Sequence, residues 1–556
     1  MMAALSAAAL FGAAACTGSA DPDAYLYENL PFEMTRVPRP AIPALRASIT
    51  DFGAVSDAVT LNTEAFEKTI AHLSQRGGGV VEVPAGVWYT GPIVLRDNIE
   101  LNLAQGSVIV FSGNSKDYPL INTVFEGLDT RRCQSPISAE GARNIAITGQ
   151  GIIDGSGDSW RAVKRDKMTS SQWNKLLSRG GVLSDDGRIW YPSEGFKKGT
   201  AISPMNVPVG LTTDEQWEEI RDFLRPVMIS LRNCENVLLE GVTFQNSPSW
   251  NIHPFMCTNL RVHDITVRNP WYSQNGDGID IESCTNVVLT DSSFDAGDDG
   301  ICIKSGKDEN GRRRGAPCQN IIVDNCTVFH GHGGFVVGSE MSGGVKNVSV
   351  TNCRFSGTDV GLRFKSTRGR GGVVENIHIS DIAMNDIANE PLLFDLFYGG
   401  KSASEALEAG EDAEASDLAP KPVDETTPQF RDIFIRNVWC RGARRAMLFN
   451  GLPEMNVENV RVENCAVYAQ LGAQINESRD VVLRNVSVYP QQGPALMINN
   501  AKQVVVEGFS FECAPGQTVA LSVTGSRNEA ITVDAEGISA DNSQFSPRSQ
   551  GKVTFK

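Results

Sequence analysis

The sequence predicts a parallel β-helix, an all-β solenoid of short strands wound into stacked coils. Three observations predict it. One pattern, Asn or Asp (once Gln) followed by aliphatic residues, recurs as Asn144-Ile-Ala-Ile, Asn236-Val-Leu-Leu, Asn259-Leu-Arg-Val, Asn286-Val-Val-Leu, Asn320-Ile-Ile-Val, Asn347-Val-Ser-Val, Asn376-Ile-His-Ile, Asp432-Ile-Phe-Ile, Asn459-Val-Arg-Val, Asp480-Val-Val-Leu and Gln503-Val-Val-Val. Most intervals are roughly 21–34 residues, the range of solenoid repeats. Each unit is a short run broken by Gly, Asn or Asp in fixed phase, with no helical period. The 53 glycines suit a turn-rich β chain. Alternation puts aliphatic side chains inside each coil and the intervening residues outside. Stacked coils bury one long core, so the chain reads as one elongated domain in spite of its length.

The elements follow in order. Residues 2–15 are almost all small or apolar, too short a run to span a membrane but fitting the h-region of a signal peptide over 1–16, although no Lys or Arg precedes Arg36. Ala13-Ala-Ala-Cys16 resembles a bacterial lipoprotein cleavage box, which makes Cys16 a candidate lipid anchor. Either reading exports the protein, to the periplasm, the outer membrane or the medium. Residues 17–50 are Pro-rich and aperiodic and read as an extended linker. The domain, 51–556, opens at Asp51-Phe-Gly. Asn62-Thr-Glu starts a helix whose apolar face, Ala65, Phe66, Ile70 and Leu73, caps one end of the solenoid. Strands follow at 80–83, 93–95 and 108–111, and the repeats run from Asn144.

Two insertions interrupt the rhythm. Residues 156–222 carry Trp160, Trp173, Trp190 and Trp217, which either wall one end of a groove or pack the insertion together. Residues 401–427 are acidic and rich in Ala and Pro, a solvated loop without chemistry. Apart from Cys16, eleven cysteines form no CxxC pair, which argues against zinc; Cys326, Cys353 and Cys465 share a phase and read as stacked buried thiols. A net charge of −16 is a poor match for nucleic acid.

The chemistry concentrates between Asn275 and Lys365. Setting the inward pairs Ile279/Ile281, Ile301/Ile303, Phe335/Val337 and Leu362/Phe364 in register leaves Asp280, Glu282, Lys304, Arg363 and Lys365 on one outward strip. One coil back, His253 stands beside Asp280. Asp277 and Asp299 then share a phase, as do Asp298 and His332. Asp277 and Asp299 would lie on adjacent coils, about 5 Å apart. Three carboxylates this close cannot easily all ionise, so one should hold a proton, giving an acid beside two bases, the equipment for glycoside hydrolysis by water. Clustered Asp could also bind Ca²⁺, but the cationic groups beside the cluster argue for an anionic substrate and no metal or other cofactor. Lys304, Lys307, Arg312, Arg313, Arg314, Arg363, Lys365, Arg368 and Arg370 form a basic patch suited to a polyanionic sugar, with Arg312–Arg314 readable also as a solvated loop.

Asn275-Gly-Asp277, Gly297-Asp-Asp299, Gly331-His-Gly333 and Arg363-Phe-Lys365 resemble, in this order, the Asn-Thr-Asp, Gly-Asp-Asp, Gly-His-Gly and Arg-Ile-Lys signatures of glycoside hydrolase family 28, the polygalacturonases and their relatives. The resemblance extends from Asp51 to about Phe511 and looks closest to bacterial exo-acting members. It implies a right-handed parallel β-helix and an inverting hydrolase of α-1,4-linked galacturonate that needs no metal. By position, it implies Asp298 as general acid and Asp277 and Asp299 as the pair activating water. It implies His332 as the residue tuning the acid, and Arg363, Lys365 and Tyr398 as contacts to substrate. Lys304 and His253 join the expected substrate-binding set from the strip. The expected partner is a pectic polysaccharide or oligogalacturonide bound by a monomer. A rhamnogalacturonan or xylogalacturonan hydrolase, a pectate lyase and a non-catalytic carbohydrate-binding β-helix are the alternatives. The 156–222 insertion, placed just before the active face, favours exo action.

Overall fold

In the computed structural model, residues 23–399, 419–512 and 516–556 are described. Residues 1–22, which include Cys16, and most of the acidic insertion lie outside them. The chain forms a right-handed parallel β-helix whose strands join one continuous ladder system of 37 strands. Each coil contributes to three parallel sheets. The first runs through Ile252–Phe255, Ile279–Glu282, Asp299–Lys304, Gly333–Gly338, Leu362–Lys365 and Leu392–Asp395. The second carries the repeated tetrapeptides, for example Thr285–Thr290 on Cys318–Asp324. The third includes Thr266–Arg268 and Ser293–Ala296. The sequence register holds at the active coils: Ile279 pairs with Ile301, Ile301 with Phe335 and Phe335 with Leu362. These side chains are fully or almost fully buried in the central core.

The repeat begins with Asn for a physical reason. Asn144, Asn236, Asn259, Asn286, Asn320, Asn347 and Asn376 all have φ between 53° and 60°, a left-handed conformation that Asn tolerates better than other side chains with a Cβ. Their amides then stack into a ladder, each Nδ2 donating to the Oδ1 of the coil before at 2.7–3.2 Å. Thus one residue both turns the chain and ties neighbouring coils. Ten cysteines of the described residues are buried free thiols, as their repeat phase suggests.

Helix Thr63–Ser74 closes the N-terminal end with Ala65, Phe66, Ile70 and Leu73 buried. Asn62 does not cap it through its side chain. Its amide instead bonds Val55 N at 2.7 Å and the carbonyls of Val55, Thr60 and Tyr89, pinning the entry loop to the first coil.

Residues from 23 are not a free linker. Leu26 and Val37 pack on Val288 and Ile322 of the second sheet, Tyr25 donates to Asp324 at 3.2 Å, and Arg39 bridges Glu240. The segment is a strap along the flank. The sequence pattern missed it because its partners are outward residues of coils more than two hundred positions away.

A hairpin absent from the sequence reading covers part of the first sheet. Leu120–Phe125 pairs antiparallel with Leu128–Cys133 across Glu126-Gly127, both of positive φ, the geometry of a two-residue turn. Phe125 stacks on Trp250 with centroids 5.8 Å apart. The long insertion braces it from behind: Arg131 pairs with Asp214, and Arg132 donates to the carbonyls of Asn206 and Phe223. Trp173 and Trp190 are buried within the insertion and Trp160 is buried against Tyr118 and Cys133, so all three pack the insertion rather than line a groove.

Candidate active site

Four turns between the third and first sheets, on successive coils, present Asp277, Asp298, His332 and Asp359. Backbone bonds tie them in order: Gly278 N donates to Asp299 O, His332 N to Asp298 O and Asp359 N to Gly331 O. Asp277, Asp298 and Asp299 each place one oxygen within 4.8 Å of the others. Asp277 and Asp299 are buried, whereas the Asp298 side chain keeps 23% of its surface and His332 keeps 51%.

Asp298 uses one oxygen for the protein and leaves the other to the groove. Its Oδ1 accepts from the Asp299 backbone N–H at 3.0 Å and faces His332 Nδ1 at 3.0 Å. The hydrogen bond to Asp298, and its charge, raise the His332 pKa above the ordinary imidazole value against the lowering effect of burial. Asp359, which the sequence reading missed, stands 3.9 Å from the other ring nitrogen. Its phase, one coil beyond His332, was the available signal.

The two buried carboxylates have opposite environments. Burial pushes Asp277 well above the ordinary range, with the charges of Asp280 and Asp298 adding to it. Burial also acts upward on Asp299, but Lys365, Arg363 and Lys304 outweigh it and hold that group at about 2. Lys365 Nζ donates to Asp299 Oδ2 at 2.7 Å, and Arg363 Nη1 lies 3.6 Å from Oδ1. Burial thus favours the neutral form of Asp277, whereas the cations beside Asp299 favour its anion.

Arg363 keeps 17% of its side-chain surface, against 6% for Lys365. Tyr398 lies beside both, its ring centroid 5.6 Å from the Arg363 guanidinium carbon and 5.0 Å from Lys365 Nζ. The site thus brings together Asp277, Asp298, Asp299, His332, Arg363, Lys365 and Tyr398.

Lys304 and His253 are corrections. Both have the strip register expected of them, but the hairpin and Trp250 bury them. Lys304 Nζ binds Glu340 at 2.9 Å, lies 3.5 Å from Asp280 and sits over the Trp250 ring at 4.7 Å. His253 Nε2 contacts Glu282 at 2.8 Å, and both are buried. Lys304 pairs with a carboxylate and His253 hydrogen-bonds one beneath the groove, and neither presents a surface to a ligand. The wider basic patch is likewise spent internally: Arg314 bonds Gly127 O and Asp129, Arg370 bonds Asp308, Arg368 binds Glu454, and Arg312 donates to Gly369 and Arg370 carbonyls.

Sequence reasoning also missed Arg225, a buried guanidinium that donates to Asn275 Oδ1 at 2.6 Å and to two carbonyls, fixing the loop that carries Asp277. Burial lowers its pKa to about 10. At the groove rim Trp271 is 57% exposed, and Lys167 of the insertion lies 4.7 Å from its ring centroid.

A model of the family described as "Glycosyl hydrolases family 28" matches residues 220–435, which hold every signature above. A crystal structure of an exopolygalacturonase from Thermotoga maritima is 30% identical and superposes with a TM-score of 0.60, over 81% of this chain and 94% of that one. The chain belongs to glycoside hydrolase family 28. Among curated relatives, an exo-poly-alpha-D-galacturonosidase of Dickeya chrysanthemi is 30% identical over 66% of this chain and 59% of its own length. A probable polygalacturonase of Vitis vinifera is 30% identical over 61% of this chain and 60% of its own. The chain thus spans about three-fifths of the length of these two relatives. A family 28 exopolygalacturonase of Yersinia enterocolitica, 24% identical with a TM-score of 0.64, shares the fold. Family membership accounts for the order of the four signatures along the solenoid, since a coil shift would dissolve their common face.

Proposed function

We propose that the protein is an inverting, exo-acting hydrolase of α-1,4-linked galacturonate. The observation that carries this reading is the asymmetric trio, one half-exposed carboxyl and two buried ones, beside an exposed imidazole and a guanidinium at the groove. Asp298 Oδ2, which takes no hydrogen bond from a described residue, is free to carry a proton toward a glycosidic oxygen. Asp277 and Asp299 hold the water: Asp299, kept anionic by Lys365, accepts its proton as the new C–O bond forms, while Asp298 gives its own proton to the departing glycosidic oxygen. His332 anchors the acid by its other oxygen. Arg363, the more accessible of the two cations, receives the substrate carboxylate, and Tyr398 shapes that position.

The nearest oxygens of the trio lie closer than the roughly 6.5–9.5 Å by which inverting carboxyl pairs are usually recognised. Inversion therefore rests on the division of labour, two carboxylates on water and one on the leaving group, rather than on that separation. Exo action is supported by the hairpin Leu120–Cys133 and the insertion braced behind it. Glu126 at the hairpin tip accepts from Asn206 at 2.8 Å and Asn275 at 3.4 Å, next to the Asp277 loop. On this reading the hairpin and insertion close that side of the groove, leaving room for a chain end and not for a chain running through.

Product analysis tests the proposal. Polygalacturonate should yield saturated short products at the same rate with chelator or with Ca²⁺, and NMR should find the first-formed anomer inverted. Unsaturated products that require Ca²⁺ would mean a lyase, and a retained anomer would overturn the assignment of the trio.

A further inference from the structure

The coils C-terminal to the carboxylates carry a second concave surface that the catalytic reading leaves unused. A cavity of about 990 Å³ opens on the third sheet and the adjoining turns. Trp439, 51% exposed, stands in register between Ala383 and Ala466, so no large side chain covers either face of its indole. One step along, Tyr468 is 53% exposed and stacks on Tyr489 with centroids 4.3 Å apart. Exposed aromatic rings in a soluble β-helix are costly to hydrate unless something covers them, and flat apolar faces match the C–H faces of pyranoses.

The charges around these rings name the sugar. Arg441 pairs in register with Tyr468, and Arg444 lies on the adjoining turn. Both side chains are exposed and have no ion-pair partner among the described residues. Asp386 is the only carboxylate that lines the cavity among the described residues. On a chain of net charge −16 this is a locally cationic surface. The site is also continuous with the catalytic turns. Backbone bonds run from His332 N to Asp298 O, Asp359 N to Gly331 O, Asn389 N to Asp359 O and Arg444 N to Asn389 O. Arg444 is thus four coils beyond Asp298, roughly 19 Å at the strand spacing, on the side away from the blocking hairpin.

We propose that this surface is a non-catalytic binding site for a polygalacturonate chain, holding the polymer where it leaves the catalytic turns. The sugar's identity rests on the function proposed above. Aromatic faces carry the rings, and the two guanidinium groups take carboxylates.

The test uses the full chain, with retention in native gels containing polygalacturonate as the binding readout and trigalacturonate hydrolysis as the catalytic one. The W439A/Y468A variant and, separately, Arg444→Glu should weaken retention about tenfold and raise KM for the polymer, while kcat/KM for trigalacturonate stays at the parental value. Trp439→Phe, which keeps a ring, should retain most of the binding. Parental retention in both the double variant and Arg444→Glu would overturn the proposal. So would losses that are equal in gels of a fully methyl-esterified polymer, since the arginines would then have no part. Should the double variant not fold, the exposed Arg444→Glu change decides alone. A parental protein that leaves trigalacturonate uncut would remove the catalytic reading, and the retention result would still judge the binding surface.

Discussion

Asp299 and Lys365 form a buried pair whose value is chemical as much as structural. Lys365 keeps Asp299 ionised in a site where burial alone would neutralise it. If Asp299 holds the water as proposed, Lys365→Ala should reduce activity on polygalacturonate and on a methyl-esterified analogue alike, because that anion is lost with either. Arg363→Ala should reduce activity mainly on the acidic polymer. Parallel initial rates on the two substrates measure this, and a Lys365→Ala loss confined to the acidic polymer would mean that the lysine serves the substrate first. The pair also has a pH signature. A carboxylate held at about 2, below its ordinary 3.8, contributes stability that is complete above about pH 4 and is lost as pH falls toward 2. The contribution is on the order of 2 kcal/mol. Melting curves should show the parental protein losing stability through that window more steeply than Lys365→Met, which lacks the pair at every pH. Asp298→Asn keeps both Oδ1 hydrogen-bonding positions occupied by an oxygen and removes the acid. It should lower turnover by about 10²–10⁴-fold with little change in melting temperature, and a loss below tenfold would remove Asp298 from the role of proton donor.

At the scale of elements, the proposed exo action makes the hairpin Leu120–Cys133 the element that limits what the groove accepts. Its tip needs Gly127, which has φ +75° and whose added Cβ would stand 2.7 Å from Lys307 N. Gly127→Val should lift the tip from Lys307 and from the Asp277 loop. The expected result is a shift from the shortest products toward longer ones, at a cost of about 1–3 kcal/mol in stability. An unchanged product profile in a folded variant would mean that the insertion blocks the groove without the hairpin. The hairpin also marks where the sequence stopped being legible. Register among the coils could be read because Ile279, Ile301, Phe335 and Leu362 obey a period of two, and a one-residue slip would turn every one of them outward. That register placed all three carboxylates and His332 correctly. It could not tell that Lys304 and His253, with the same outward phase, would be covered, because the cover is a contact between Phe125 and Trp250 that no local pattern encodes. Gly127, following the apolar Val124-Phe125, was the one available sign of a turn.

For the whole molecule, the proposed catalysis and the proposed polymer binding would lie apart along one axis. On the N-terminal side of the carboxylates the capped coils, the hairpin and the insertion form a wall. The hairpin is held by the contact of Arg314 with Gly127 and Asp129. On the C-terminal side the turns at Arg444, Gln470 and Gln491 are exposed. An enzyme walled on one side admits a chain terminus, removes one or a few units and must release the rest by the way it came. The polymer's length then falls by small steps from one end, and its viscosity should decline slowly while reducing ends accumulate quickly. Both quantities can be followed in the same polygalacturonate digest. A rapid fall in viscosity at a low yield of reducing ends would mean internal cleavage, and with it a groove that the hairpin and insertion do not close in solution.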